Sequence, residues 1–368
     1  MARTVEASAT VSTLSAASTN ATTRTARRAR PGDMGPGSGG SGYSIGAAIT
    51  HSAYADYQLL CMNDEIRAVR SSAVHSVHLA VLMTSHNRRA RTLSALSALE
   101  SQQGLPAHAT LGVHLVDAGS TDGTPEAVRL LHPSVEVMSV GADVPRNQAM
   151  RIASRNSRSG GGGGGSHSGR PGGPSHRWTH QLWLDDGVEL YPDALARLLG
   201  AADVVGAGAV VVGAVRGADG ATVYSGRRGR SLVLVEPGGE RPEPCDTYDG
   251  RVVLLSRAAY DLVGDLDKVF RHRMGDYDHG FRARRAGVPA FVAPWPVGVC
   301  AEGPDVPGSR EPGIGVREAL RRVTSVTELP PRQWWVYCLR HTWPWAPFLM
   351  VSPYARTAAR ATVGRWRG

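Results

Sequence analysis

Lysine is almost missing from this chain of 368 residues. Lysine and arginine together number 41, but Lys268 is the only lysine, so arginine supplies nearly all of the positive charge. The formal net charge of +9 favours acidic partners, such as nucleic acid, an anionic membrane surface or a phosphorylated substrate. The arginines are dispersed, and no zinc-finger, basic-zipper or aromatic RNA-binding pattern accompanies them. That combination argues against a nucleic-acid-binding protein.

Cysteines are few, and the four of them lie far apart without a C-x-x-C pair. Such spacing fits neither a zinc site nor a disulfide framework, so it predicts reduced thiols in a cytosolic protein. Long hydrophobic runs are also missing, since no apolar stretch reaches the roughly 18 residues of a membrane-spanning helix. The amino-terminal residues lack the apolar core of a signal peptide. They resemble a transit peptide in composition only, and a disordered tail or an over-extended reading frame explains them equally well.

Composition divides the chain into three regions. Residues 1–75 are predicted to be a disordered, low-complexity extension. Residues 76–305 alternate apolar strands with helices through short links, which predicts an α/β domain with a mostly parallel sheet. An insert at 157–177 contains six consecutive glycines and is predicted to be a flexible surface loop. Residues 306–368 crowd tryptophan and tyrosine among arginines, so we expect a helical segment that packs on the core or contacts a membrane surface.

Polar residues follow three of the predicted strands at the point where each strand ends. The first strand runs into residues 84–88, the second into the acidic loop 117–124, and a later one into Asp185-Asp186. Because ligands bind at the carboxyl ends of parallel strands, these exits are expected to face one crevice. Two adjacent carboxylates there could hold a divalent cation and, through it, a phosphate. Taken alone, a solvated turn with an aspartate cap explains Asp185-Asp186 equally well.

Five motifs in a fixed order resemble those of family-2 glycosyltransferases with the GT-A fold, especially bacterial members that build cell-surface glycans. They are LMTSHNRR (82–89), VDAGSTDGT (116–124), LWLDDGVEL (182–190), CDTYDGRVVL (245–254) and FRHRMGDYDHGFRARRAG (270–287). The resemblance covers roughly residues 77–305. It implies a mostly parallel central sheet flanked by helices. It also implies inverting transfer of a sugar from a nucleotide-diphosphate donor to a glycan or lipid-linked acceptor, with rhamnose or a related hexose as the first donor to test.

The resemblance also implies roles for individual residues. Asp276 matches the family's general base, and Asp185 and Asp186 fall on the motif that holds Mn²⁺ or Mg²⁺ against the donor diphosphate. Ala118 stands where the family usually has a second aspartate. Gly187 stands where the metal-ligating aspartate is most often found, so Asp185 or Asp186 is expected to replace it. The residues expected to contact the nucleotide-sugar are Thr84, His86, Asn87, Arg88, Asp117, Asp122, Asp185, Asp278 and Arg282.

Two other functions fit parts of the pattern. A sugar-phosphate nucleotidylyltransferase has a similar sheet, but it needs a glycine-rich loop with a basic residue after the first strand, where this chain has residues 84–87. A catalytically impaired nucleotide-sugar-binding protein would explain Gly187, although the presence of Asp276 argues against it. We expect a cytoplasmic protein, or one bound peripherally to the inner face of the plasma membrane.

Simple structural roles compete with the catalytic ones. Asp276 and Asp278 fall at the start of a predicted helix, where the helix dipole favours carboxylates, so capping would explain both. His272 and His279 lie in a loop or at its edge, and we expect them to be polar packing groups rather than acid, base or metal-binding residues.

Overall fold

The structure is a computed structural model, and it describes residues 76–159, 178–229, 231–301 and 308–366. The extension predicted at 1–75 lies outside the described residues. So does most of the loop predicted at 157–177, although residues 157–159 complete a helix.

The described residues form fifteen strands and nine α-helices. The strands are β1 (His78–Ser85), β2 (Thr110–Ala118), β3 (Glu136–Val140), β4 (His180–Asp185), β5 (Val188–Leu190), β6 (Val210–Val212), β7 (Val215–Arg216), β8 (Thr222–Tyr224), β9 (Gly226–Arg228), β10 (Val233–Leu234), β11 (Glu243–Cys245), β12 (Thr247–Tyr248), β13 (Val252–Ser256), β14 (Ala290–Val292) and β15 (Gly298–Cys300). The helices are α1 (Arg89–Glu100), α2 (Thr124–Leu131), α3 (Arg146–Ser159), α4 (Ala194–Val205), α5 (Arg257–Val263), α6 (Met274–Arg285), α7 (Val316–Val323), α8 (Pro331–His341) and α9 (Ala346–Trp366).

An eight-stranded sheet in the order β11-β14-β6-β13-β4-β1-β2-β3 forms the centre of the domain. The strands β3, β2, β1 and β4 are parallel, as the alternation of strands and helices predicts. The register aligns Ser85 with Asp117 and Thr84 with Asp185. The prediction of a mixed α/β fold with a large central sheet flanked by helices is therefore confirmed, and the three polar exits lie at one edge of that sheet.

The central strands form because they are apolar on both faces. Val81, Leu182 and Leu254 on neighbouring strands are almost completely buried, and helix α3 packs on β1 and β2. Continuous apolar runs of this kind are typical of strands that are covered by helices on both sides. Each fully buried Val or Leu contributes roughly 1.5–3 kcal/mol. The base of the site is consequently rigid.

The sheet is not wholly parallel, because β13 runs antiparallel to both of its neighbours, β4 and β6. The apolar run of residues 209–215 is also divided between two sheets. Its first part, β6, stays in the central sheet, while β7 joins a second sheet with β5, β8 and β15. The division falls at Gly213, where a Cβ atom would come within 2.4 Å of Val297 and 2.8 Å of Val252. The chain changes sheets where only glycine fits.

Helix α6 begins at Met274, so Asp276 and Asp278 lie in its first turns. Glycine disfavours a helix interior by about 1 kcal/mol relative to alanine, so Gly275 and Gly280 need a structural reason. In the structure the two glycines allow close packing. A Cβ atom would lie 2.0 Å from Asn147 at Gly275 and 2.4 Å from Thr247 at Gly280.

Helices α7 to α9 form the carboxyl-terminal part of the described chain. Trp334 and Tyr337 stack with ring centroids 5.6 Å apart, and they pack with Phe270 in a small apolar cluster. Trp343, Trp345 and Phe348 are instead 71%, 58% and 68% exposed. Some residues of the aromatic segment therefore pack in the interior, as one of the two alternatives predicts, while others are exposed. None of the helices in the described ranges is long and apolar enough to cross a membrane.

Candidate active site

The candidate site lies at the carboxyl edge of β1, β2 and β4. Asp117 is the penultimate residue of β2, Asp185 is the last residue of β4, and Asp186 follows it. Asp276 reaches the same region from helix α6, and it contacts Arg146, which also contacts Asp185. The carboxylates of Asp185, Asp186 and Asp276 are only 7%, 4% and 3% exposed. Such burial is not that of a solvated turn, and buried carboxylates need charged or hydrogen-bonding partners.

Asp185 is held by two arginines. The Nη1 atom of Arg251 lies 2.5 Å from its Oδ1 atom, and the Nε atom of Arg146 lies 3.9 Å from Oδ2. The backbone N–H of Gly187 also donates to Oδ1 at 3.1 Å. Burial acts to raise the pKa of Asp185, but the charges of Arg251 and Arg146 hold it below its ordinary value. Asp185 is therefore an ionised carboxylate inside an arginine pair.

Asp186 has a weaker set of partners. Arg88 Nη1 lies 3.4 Å from its Oδ1 atom, and Thr92 Oγ1 donates to Oδ2 at 3.5 Å. Burial, together with the adjacent charge of Asp185, raises the pKa of Asp186 to about 6. The two adjacent aspartates thus have different electrostatic surroundings and are not an equivalent pair.

Asp276 accepts hydrogen bonds from outside its own helix. Arg146 Nη1 donates to both of its carboxylate oxygens, at 3.2 and 3.4 Å, and the backbone N–H of Gly250 donates to Oδ2 at 3.2 Å. Arg146 also donates from Nη2 to the Gly250 carbonyl at 2.7 Å. Burial raises the pKa of Asp276 against the opposing charge of Arg146. These partners give the carboxylate a defined position, which helix capping does not explain.

The loops after β1 and β2 are tied together by hydrogen bonds. His86 Nδ1 lies 2.7 Å from the Ala118 carbonyl, and Asn87 Oδ1 accepts from the Thr121 backbone N–H at 2.7 Å. Asn87 has a left-handed backbone with a φ of 51°. Asp122 accepts from the backbone N–H groups of Arg89 and Thr124, at 2.9 and 3.1 Å. Asp122 therefore joins the first turns of α1 and α2 and shapes the loop.

Asp117 has one buried carboxylate oxygen without a partner in the described part of the chain. Its Oδ2 atom accepts from the Ser120 backbone N–H at 3.0 Å. The other oxygen, Oδ1, is buried and has no hydrogen-bond partner among the described residues. A buried acceptor without a partner costs about 1–3 kcal/mol. A ligand that donates an N–H or O–H group to this oxygen would recover that energy.

The structure places most of the predicted site residues at this edge, but it gives two of them other partners. Asp278 has a fully buried side chain. It accepts from Arg282 at 2.8 Å, from Arg340 at 3.1 Å and from His341 at 2.9 Å. Arg282 also donates to the carbonyls of Val263 and Asp265. Both side chains connect α6 with its neighbouring helices, and the predicted contact with a nucleotide-sugar has no support from their position.

His279 is a packing group, as expected. Its side chain is buried, with Nδ1 at 2.6 Å from the Tyr248 hydroxyl and Nε2 at 2.9 Å from the Gly264 carbonyl. Its ring also contacts Trp183 edge-on. Burial lowers the pKa of His279 to about 4.

Two arginines of the site were not found from the sequence. Arg146 is the first residue of α3, where the helix dipole disfavours a cation. An arginine at such a position indicates that a carboxylate lies nearby, so this feature of the sequence could have identified it. Arg251 lies within the motif CDTYDGRVVL, directly before β13. Its backbone carbonyl accepts from the Asp185 N–H at 2.9 Å, so the antiparallel pairing places the two side chains together. That pairing could not be read from the sequence.

The predicted Mn²⁺ or Mg²⁺ does not fit the donor set of this structure. Both oxygens of Asp185 face guanidinium groups, and so does Oδ1 of Asp186. A divalent cation needs several oxygen ligands and an excess of negative charge. In the described part of the chain, no group of three or more His, Cys, Asp or Glu side chains could hold a metal ion.

Comparison with known proteins adds only distant likenesses. No protein-family model and no curated protein matches the chain. Staphylococcus aureus TarS 1-349 in complex with UDP-GlcNAc is 10% identical, covers 79% of this chain and 73% of its own, and has a TM-score of 0.45. The Pyrobaculum calidifontis mannosyltransferase PcManGT in complex with GDP-Man and Mn²⁺ is 17% identical, covers 86% and 84%, and has a TM-score of 0.45. At these values neither likeness carries an argument about the function of this chain.

Proposed function

We propose that this protein is an inverting glycosyltransferase of the GT-A type. It would move a sugar from a nucleotide-diphosphate-sugar to a hydroxyl of a glycan or lipid-linked acceptor. The observation that carries the proposal is the bridge made by Arg146, which contacts Asp276 at 3.2 Å and Asp185 at 3.9 Å. One guanidinium thus joins the proposed base to the strand end proposed for the diphosphate.

The geometry supports separate roles for Asp117 and Asp276. The unpartnered oxygen of Asp117 accepts a hydrogen bond from the base or ribose of the donor. Asp276 takes the proton of the acceptor hydroxyl as its oxygen attacks the anomeric carbon from the side opposite the leaving group. The bond from that carbon to the diphosphate breaks, and the diphosphate leaves with the electron pair. Because burial raises the pKa of Asp276, the carboxylate is a stronger base than an exposed aspartate.

The test is release of a nucleoside diphosphate from a panel of nucleotide-sugars offered with lipid-linked acceptors. Replacing Asp276 by Asn keeps the size of the side chain and removes the base, so transfer should fall by about 10²–10⁴-fold. Binding of the donor should be retained. Asp203→Asn, on the exposed face of α4, is the matched control and should transfer at the normal rate. Undiminished transfer by Asp276→Asn would show that the base is another group.

A catalytically impaired nucleotide-sugar-binding protein is the second candidate. Gly187 favours it, because this residue lacks the carboxylate that the resemblance places there. The arginine contacts of Asp276 also favour it, because they tie up both oxygens of the proposed base. The same panel separates the two functions: donor binding without release of nucleoside diphosphate would identify the binding protein.

We also propose that the protein works at a membrane surface, where a lipid-linked acceptor resides. Trp343, Trp345 and Phe348 are largely exposed near the start of α9, and Arg356 and Arg360 are exposed further along the same helix. Tryptophan beside cationic residues suits the headgroup layer of an anionic bilayer. The helices lie on that surface under this proposal.

A further inference from the structure

Three arginines contact three of the four buried carboxylates of the site, and Asp117 is the fourth. Arg88 contacts Asp186, Arg251 contacts Asp185, and Arg146 contacts both Asp185 and Asp276. With these six groups ionised their charges cancel, so Asp185, Asp186 and Asp276 do not offer the negative excess that attracts a divalent cation. A diphosphate group, in contrast, would find guanidinium groups already placed at the strand ends.

Arg251 is fixed by more than its carboxylate. Its guanidinium carbon lies 4.5 Å from the centre of the Tyr224 ring, and its Nη2 atom donates to the Tyr224 hydroxyl at 3.3 Å. Stacking of this kind orients the planar group and leaves its remaining N–H donors available. Burial opposes the charge of Arg251, but Asp185 raises its pKa above the ordinary value. The arginine is therefore a permanent, positioned cation.

The arginines also remain accessible. The side chains of Arg88, Arg146 and Arg251 are 37%, 22% and 17% exposed. A guanidinium has five N–H donors, and the contacts of Arg251 with Asp185 and Tyr224 use Nη1 and Nη2 only in part. Arg251 can therefore bind a phosphate oxygen without breaking these two contacts.

The position of Gly187 agrees with this arrangement. A Cβ atom there would lie 3.3 Å from Asp185 Oδ1 and 3.7 Å from Arg88 Nη1, so a larger residue needs only small shifts. Glycine is therefore not required here by contacts of a Cβ atom, and the sequence does not supply a third carboxylate. The glycine at this position and the arginine contacts of Asp185 and Asp186 both argue against a bound divalent cation.

We propose that Arg146 and Arg251 take the place of a divalent cation and bind the donor diphosphate directly, so that donor binding needs no metal. The inference rests on the proposed function, since it concerns the same nucleotide-sugar site. The arginines neutralise the charge that grows on the leaving diphosphate when the bond to the sugar breaks. This role goes beyond holding the carboxylates in position.

The test measures binding of UDP, GDP, ADP, CDP and dTDP to the full chain by calorimetry, once with EDTA and once with Mn²⁺. We expect one nucleoside diphosphate to bind with the same affinity in both buffers. Arg251→Met should weaken that binding by about 10- to 100-fold, the effect of losing charged hydrogen bonds. Arg321→Gln, on a 74% exposed side chain of α7, should bind like the wild type.

A second variant guards against unfolding, because Arg251→Met leaves Asp185 buried without its main partner. The double variant Arg251→Met with Asp185→Asn removes both charges and should fold, yet it should still bind the diphosphate weakly in EDTA. The inference would be overturned if the wild type bound the diphosphate only with Mn²⁺. It would also be overturned if Mn²⁺-dependent binding persisted in Arg251→Met. Either result would leave the proposed function standing. Absence of binding in both buffers would overturn the proposed function itself.

Discussion

Replacing Gly250 by alanine is the most direct test of how Asp276 is positioned. A Cβ atom at Gly250 would lie 2.5 Å from the Cγ atom of Asp276 and 2.6 and 2.7 Å from its two oxygens. Real Cβ atoms do not approach other atoms so closely, so the carboxylate must rotate away. It then loses the hydrogen bond from the Gly250 N–H, which is 3.2 Å long in the native chain.

The magnitude follows from these two changes. A hydrogen bond to a buried charged group contributes about 1.5–3 kcal/mol to the free energy of unfolding. Alanine lowers the conformational entropy of the unfolded chain and returns about 0.4–1 kcal/mol. The net loss of stability is therefore about 0.5–2.6 kcal/mol. Displacing a catalytic group by about 1 Å can lower the rate roughly 100-fold, so the effect on transfer should exceed the effect on folding.

Two measurements check this prediction. Urea unfolding gives the loss of stability, which does not depend on the proposed activity, and release of nucleoside diphosphate gives the loss of transfer. The matched control is Gly200→Ala in helix α4, where a Cβ atom meets no described atom within 4 Å. That variant should gain about 0.5–1 kcal/mol, since alanine favours a helix interior, and should keep full activity.

If Gly250→Ala keeps the stability and the transfer rate of the wild type, the position of Asp276 described above is wrong. Such a result would mean that Asp276 does not lie against Gly250 in solution. A loss of stability with normal transfer would locate the carboxylate correctly but remove its catalytic role.

Two further predictions concern pH and membranes. His279 has a pKa of about 4 in the folded chain against about 6.5 when unfolded, so the unfolded state binds more protons between these values. Stability should fall by up to about 3 kcal/mol as the pH drops from 6.5 to 4 in urea titrations; an equally steep fall in His279→Gln would contradict this. The wild-type protein should sediment with vesicles rich in anionic lipid. Replacing Trp343 and Trp345 by serine should lower the sedimented fraction several-fold, whereas the control variant Arg321→Gln should sediment like the wild type. Equal sedimentation of the wild type and the serine variant would contradict the membrane proposal.

Much of the fold is predictable because it depends on local patterns. The apolar runs of β1, β2 and β4 identify buried strands without any knowledge of their neighbours. Their polar exits must then meet at one sheet edge, because parallel strands end on the same side. Thr84, Asp117 and Asp185 are neighbours for this reason alone.

The chemistry of the site depends on long-range pairings that no local pattern contains. Arg146 and Asp276 are 130 residues apart in the chain, and Arg251 meets Asp185 only because β13 runs antiparallel to β4. A sequence shows that carboxylates follow a strand, but it does not show which cation is beside them.

Local patterns in the chain are enough to predict an α/β sheet with carboxylates at one edge. Tertiary contacts bind Asp185 to arginines and enclose Asp278 between helices. Buried charges must be paired, and the partners are chosen by whichever elements pack against the site. That choice is made when distant segments fold together, so it becomes visible only in three dimensions.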